Sequence, residues 1–202
     1  ASGRGKGGCD RNAPERRRDL TDTHPQQNRA GFAAIIGAPN AGKSTLVNRL
    51  TGSKVSIVTQ KVQTTRFPVR GIAISGDAQI VLVDTPGIFT PRRRLDRAMV
   101  ASAWGGAEDA DVVVHLIDAQ SHIDAEGRDG TAADRRSAED TETIIANLQA
   151  TGTKVILALN KIDGMRRDTL LALSNTLFET GVYGEVYMIS AATGDGVDDL
   201  KQ

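Results

Sequence analysis

Eight consecutive residues carry the strongest chemical signal in the chain: Gly37-Ala38-Pro39-Asn40-Ala41-Gly42-Lys43-Ser44. They match G-x-x-x-x-G-K-S, a spacing that serves phosphate binding. Its glycines let the main chain curl until successive N–H groups point inward at phosphate oxygens. The positive end of the following helix adds to that field. Lys43 is placed to reach β- and γ-phosphates, and the Ser44 hydroxyl to bind Mg²⁺. An apolar run at 32–36 comes before, and Thr45 opens a stretch with apolar residues at helical spacing. Strand, loop and helix are the context that gives the motif its meaning. A glycine-containing turn that binds nothing would need neither the lysine nor the hydroxyl.

A second constellation selects the base. Asn160-Lys161-Ile162-Asp163 directly follows an expected strand at 154–159 that is apolar from Val155 onward. A carboxylate at Asp163 can accept from the N1–H and the exocyclic amine of guanine. Adenine offers a lone pair at N1 and no amine at C2, so it would leave that carboxylate unpaired, a strong penalty. Asn160 is expected to hold neighbouring loops together. The Lys161 stem can cover one face of the base. In Ser190-Ala191-Ala192 the Ala191 N–H is expected at the guanine O6. Asp84-Thr85-Pro86-Gly87 supplies the remaining phosphate chemistry. Asp84 ends a strand and can bind Mg²⁺ through water, and the Gly87 N–H can meet a γ-phosphate. In Gln63-Thr64-Thr65-Arg66 a threonine can close over Mg²⁺ while the γ-phosphate is present. Thr65 is favoured over Thr64.

These residues need a scaffold that brings them to one edge. Strands are expected at 32–36, 69–75, 79–83, 112–117, 154–159 and 185–189. Helices are expected from the phosphate loop to about residue 50, then near 95–108, 138–150, 166–179 and from 197. Gly76-Asp77 reads as a hairpin turn. Residues 120–137 are polar and read as a surface insertion, and 54–67 as a long functional loop. The expected class is therefore α/β: a three-layer domain on a mainly parallel six-stranded sheet with one antiparallel strand and helices on both faces. Ligands of such sheets sit at the carboxyl ends of the strands, where every motif above lies.

Composition narrows the class further. Hydrophobic residues make up 39% of 202 and charged residues 25%, with formal net charge zero. The chain as a whole therefore attracts neither nucleic acid nor membrane by charge. The single cysteine, Cys9, cannot close an internal disulfide, which suits a reducing cytoplasm. Residues 1–29 hold seven Lys/Arg against four Asp/Glu and almost no large apolar residue. That basic tail is expected to be disordered, the alternative being an arm for RNA or anionic lipid through Arg16-Arg17-Arg18. Domain organisation is then 1–29 tail and 30–202 nucleotide-binding domain.

Taken together, the phosphate loop, Thr65, D-T-P-G, N-K-I-D and the terminal S-A resemble the motifs of the translation-factor-related GTPases. Gly37 through Leu46, Gln63-Thr64-Thr65-Arg66, Asp84-Thr85-Pro86-Gly87-Ile88 and Ile189-Ser190-Ala191-Ala192-Thr193-Gly194 resemble the Era family of bacterial ribosome-assembly GTPases. The resemblance implies a GTP/GDP switch that needs Mg²⁺ and acts on the small ribosomal subunit and its 16S rRNA. Family members carry a C-terminal KH domain for that RNA, which implies that this chain is the GTPase part of a longer protein. Cytoplasmic location is expected, with peripheral contact at the inner membrane as a further option, and oligomers are not expected. Many GTPases place a glutamine after D-x-x-G to orient water; here that position is Ile88. The resemblance points instead to K⁺ held partly by Asn40, which would make Asn40, Lys43, Thr65 and Gly87 the catalytic set. The competing readings are a tRNA-modification or large-subunit assembly GTPase, and a GTP/GDP sensor with negligible turnover.

Other chemically capable residues have plainer readings. His115 lies in an apolar strand and reads as a core histidine; His24 and His122 lie in polar segments, and no metal spacing joins the three. Trp104 and Met99 read as packing residues. Arg92, Arg93, Arg94 and Arg97 form either a solvated face or a contact surface. Gly181-Val182-Tyr183-Gly184 matches a KH-like G-x-x-G and reads as a loop.

Overall fold

The computed structural model describes residues 29–52, 69–83, 87–88, 94–128 and 130–202. The expected tail, the loop with Thr64 and Thr65, Asp84, and the arginines at 92 and 93 lie outside the described residues. Six strands form one sheet: β1 (Arg29–Ile36), β2 (Val69–Ser75), β3 (Ala78–Val83), β4 (Val112–Asp118), β5 (Val155–Asn160) and β6 (Tyr183–Met188). The order across the sheet is β2-β3-β1-β4-β5-β6. β2 runs antiparallel to β3, and every other neighbouring pair is parallel. β1 sits where the winding reverses, with strands added on both sides, so the turn after it opens into a crevice at the carboxyl edge.

Among the described residues six helices cover the sheet: α1 (Lys43–Thr51), α2 (Arg94–Glu108), α3 (Ala119–Glu126), α4 (Ala132–Thr151), α5 (Arg167–Phe178) and α6 (Val197–Lys201). Alternation along the central strands divides the core into two layers. Val114 and Leu116 of β4 face Leu46 and Val47 of α1 and Val197 of α6. Val113 and Ile117 of the same strand face Ala103, Ile144, Leu148, Leu170 and Leu173 on α2, α4 and α5. The period of two sends successive apolar side chains to opposite faces. A strand buried on both faces therefore needs a nearly continuous apolar run, seen at 112–117 with His115 as its one polar member. No described helix is long and apolar enough to cross a membrane.

Much of the segment expected as a surface insertion at 120–137 is helical, in α3 as far as Glu126 and in α4 from Ala132. Asp118 caps α3 by accepting from the Ser121 N–H at 3.1 Å. Thr131 and Asp134 form a capping box that starts α4 six residues before the expected position. A polar stretch reads as loop when its caps are overlooked, because a solvent-facing helix needs few apolar residues once both ends are satisfied. The G-x-x-G segment is also only half a loop: Tyr183 already pairs with Val155 in β6.

Candidate functional site

Two glycines shape the phosphate loop by close main-chain approach. Gly37 has φ 154°, and a Cβ there would stand 2.3 Å from the Leu116 carbonyl oxygen. Gly42 has φ 100° and a Cβ would meet Asn160 Nδ2 at 2.3 Å. Both positions therefore admit only glycine. α1 starts at Lys43 with no side-chain cap. Helix geometry leaves its first N–H groups, including those of Ser44 and Thr45, pointing out of the end without intrahelical acceptors. That end fits an anion, since donors and dipole both face it. Lys43 Nζ curls over the loop and donates to the carbonyls of Gly37 (3.0 Å) and Ala38 (2.7 Å). Ala38 and Ala41 are buried, while Pro39 and Asn40 form the exposed crest. Asn40 adopts φ 64°, a conformation that asparagine tolerates better than most residues.

Gly87 closes against this loop. A Cβ on it would lie 3.3 Å from Lys43 Nζ and from the Pro39 backbone. The next residue donates its N–H to the Gly37 carbonyl at 3.0 Å. That residue, Ile88, is 1% exposed and packs in the core. The position after D-x-x-G thus turns an apolar side chain into the protein and offers no polar group to water.

The base-reading side is built from side chains. Asn160 ends β5, fully enclosed, and bridges two loops: Nδ2 donates to the Ala41 carbonyl at 2.8 Å and Oδ1 accepts the Ala191 N–H at 2.9 Å. The expected tie between loops is thereby explicit in geometry. It also redirects one expectation. The Ala191 N–H, expected at a guanine O6, is engaged by Asn160. Ser190 is fully buried, with its hydroxyl accepting from the Thr193 N–H at 3.1 Å. It shapes the loop instead of facing a ligand, because a tight turn needs its own acceptor there. Ala192 remains at the loop surface. Asp163 is exposed, so the expected penalty on adenine depends on the base itself covering that carboxylate.

Two supporting residues escaped the sequence reading. Arg49, on the last turn of α1, donates Nε to the Ala191 carbonyl at 3.3 Å and Nη2 to the Ala192 carbonyl. No local pattern marks a helical arginine as a loop clamp. Asp118 ends β4 and bonds Lys161 Nζ at 2.5 Å. Here a signal existed: a carboxylate ending an apolar strand is the rule that singled out Asp84, and it applies equally at Asp118. Below both loops lies His115, whose Nδ1 is 2.9 Å from the Tyr183 hydroxyl. Burial lowers its pKa to about 3, with the Lys43 charge adding to the effect, so the imidazole is neutral near pH 7 and serves the core. A cavity of about 510 Å³ lined by Trp104, Val113, Leu148 and Val155 opens at the opposite, amino-terminal edge of the sheet, away from the phosphate loop and N-K-I-D.

Comparison with known proteins places this geometry. A family model described as 50S ribosome-binding GTPase matches residues 32–161. A curated relative, GTPase Era of Caulobacter vibrioides, is 67% identical over 181 residues, covering 90% of this chain and 57% of the relative. GTPase Era of Maricaulis maris is 58% identical over 86% of this chain and 55% of its own length. The chain thus spans a little over half the length of the curated relatives it matches. Among solved structures, Aquifex aeolicus Era bound to GDP and AlF4⁻ superposes with TM-score 0.63 at 37% identity, covering 85% of this chain and 55% of that one. Era in complex with MgGDPNP and nucleotides 1506–1542 of 16S ribosomal RNA gives TM-score 0.64 at 35% identity, covering 85% and 54%.

Proposed function

The chain belongs to the 50S ribosome-binding GTPase family, and on that premise we propose that it is the GTP-binding and GTP-hydrolysing domain of an Era-type switch. The observation that carries the reading is the Asn160 bridge, which joins the phosphate loop to the loop of Ser190-Ala191-Ala192. One buried amide thereby sets the distance between a phosphate site and a base site, which a phosphate loop used alone would not need. Asp163 reads the guanine N1–H and amine, and the Lys161 stem lies over the base. With Ala191 engaged, the N–H of Ala192 serves the O6.

The loop of Gly37 to Ser44 binds the phosphates through main-chain N–H groups and Lys43, and Gly87 lies beside them to meet the γ-phosphate. Ser44, Thr65 and Asp84 would hold Mg²⁺, and Asn40 would contribute to K⁺. Bound there, the two cations supply positive charge to the phosphoryl oxygens as negative charge redistributes. The inward turn of Ile88 supports the K⁺ reading, since orientation and charge must come from elsewhere than that side chain. Era in the RNA complex named above is bound to small-subunit rRNA. We assign the same partner to the longer protein, with contact made outside this domain.

Two measurements test the proposal. Calorimetric titration should give GDP binding that ADP does not compete with. Single-turnover hydrolysis with Mg²⁺ should run faster in K⁺ than in Na⁺, and Asn40→Asp should remove the difference. Binding of ADP as tight as GDP would overturn the base assignment, and equal rates in the two salts would overturn the K⁺ assignment.

A further inference from the structure

Among the described residues, Asp118 is the one buried carboxylate, 6% exposed at the carboxyl end of β4. A buried carboxylate is costly unless it is paired and hydrogen-bonded. Its compensation is specific. Oδ1 accepts the Ser121 N–H at 3.1 Å, and Oδ2 accepts the Ser121 hydroxyl at 3.2 Å and the Lys161 ammonium at 2.5 Å. Lys161 is the second residue of N-K-I-D. Its backbone has φ 64°, a region that lysine rarely enters, and its side chain is 44% exposed. The arrangement continues outward. Hydrogen bonds from Thr131 and Ser121, with the Lys161 charge nearby, hold the Asp134 carboxyl below the usual range. Through Ser121, which bonds Asp118, α3 is joined to the residue that holds Lys161.

We infer that Asp118 is a positioning residue for base recognition, anchoring the Lys161 ammonium so that the alkyl stem is the part presented to the purine. This rests on the proposed guanine site. A lysine whose ammonium is free samples many rotamers and gives up that side-chain entropy when it is ordered. With the ammonium fixed beforehand at a buried carboxylate, that ordering is complete before a nucleotide arrives. The stem then forms a ready apolar wall over one face of the base. Asp118 itself touches no ligand; its whole effect passes through Lys161.

That dependence is measurable by a double-mutant cycle on GDP dissociation, read with a fluorescent GDP analogue on the intact domain. Wild type must first bind the analogue; a failure there refutes the guanine site, whereas the inference is read only from the variants. Asp118→Asn keeps an acceptor for Ser121 but removes the charge, and is expected to speed dissociation about tenfold. Lys161→Met keeps an unbranched apolar stem without an ammonium. In the Lys161→Met background, Asp118→Asn should change dissociation less than twofold. A tenfold effect that persists in both backgrounds means that Asp118 acts through the fold alone and overturns the inference, as does no effect in wild type. Ser121→Ala is the second route if Asp118→Asn proves unstable. It preserves the pair and the backbone cap, and should speed dissociation about threefold in wild type and not in Lys161→Met. Equal effects in both backgrounds would again overturn the inference.

Discussion

The two halves of the candidate nucleotide site are held in place by opposite means. The phosphate loop is shaped by what is missing: no Cβ at Gly37, Gly42 or Gly87, so that its backbone comes to contact distance of the Leu116 carbonyl, the Asn160 amide and the Lys43 ammonium. The base-reading loops are shaped by what is present: the Asn160 amide, the Arg49 guanidinium and the Asp118–Lys161 pair. The contrast follows from the ligands. A phosphate is recognised by main-chain N–H groups, which every residue but proline has, and needs only a main chain free to approach. A base is recognised at defined edges, so its loops must be set at one height and angle by groups with directional bonds.

The difference can be broken at its strongest point first. Gly37→Ala drives a methyl group into the Leu116 carbonyl. It should destabilise the domain by about 3 kcal/mol, visible as a melting temperature lower by roughly 10 °C. A shift under about 2 °C would show that the loop yields. Asn160→Ala should weaken GDP by about 2–3 kcal/mol, because it leaves the Ala41 carbonyl and the Ala191 N–H without their partner; calorimetry reads this directly. Unaltered GDP affinity would mean that the loops hold without the bridge.

A third test falls on the core beneath both halves. His115 stays neutral in the fold down to about pH 3, while the unfolded chain takes up that proton near pH 6.5. Its contribution to stability is therefore complete above pH 6.5 and drains as pH falls toward 3. Denaturant titrations should show a loss of about 2 kcal/mol between pH 7.5 and 5. His115→Leu should remove that component of the slope. The smallest effect is expected from Arg49→Lys. It keeps the charge but loses the fork across two carbonyls, for about 1 kcal/mol of GDP affinity. If Arg49→Lys outweighs Asn160→Ala, the base loop is set from α1 and not from β5.

Legibility in the sequence follows the same division. The phosphate loop could be read whole, since its geometry is local: eight residues, fixed spacing, one strand before and one helix after. The sheet was equally readable, because strands buried on both faces demand apolar runs such as 112–117. N-K-I-D could be read as a guanine motif, but not its supports. Arg49 lies 142 positions from the carbonyl of Ala191 that it bonds, and no period connects them. The involvement of Ala191 with Asn160 was hidden for the same reason. Residues 120–137 were misread for a different one. Their helices depend on the caps at Asp118 and Thr131 more than on an apolar stripe, and caps are single residues easily taken for loop composition.

α1 also acts as a gauge. Its first residue belongs to the phosphate loop and its Arg49 grips the loop that reads the base. Six residues at 1.5 Å of rise put these two fittings about 9 Å apart along the axis. Hydrogen-bonded helix does not stretch, so this spacing is set before any nucleotide binds. On the proposed reading, a ligand is then tested for length as well as for chemistry, since its base and its phosphates must engage both ends together. Purine bases lacking the phosphates, or phosphates lacking the base, meet only one fitting and gain none of the joint grip.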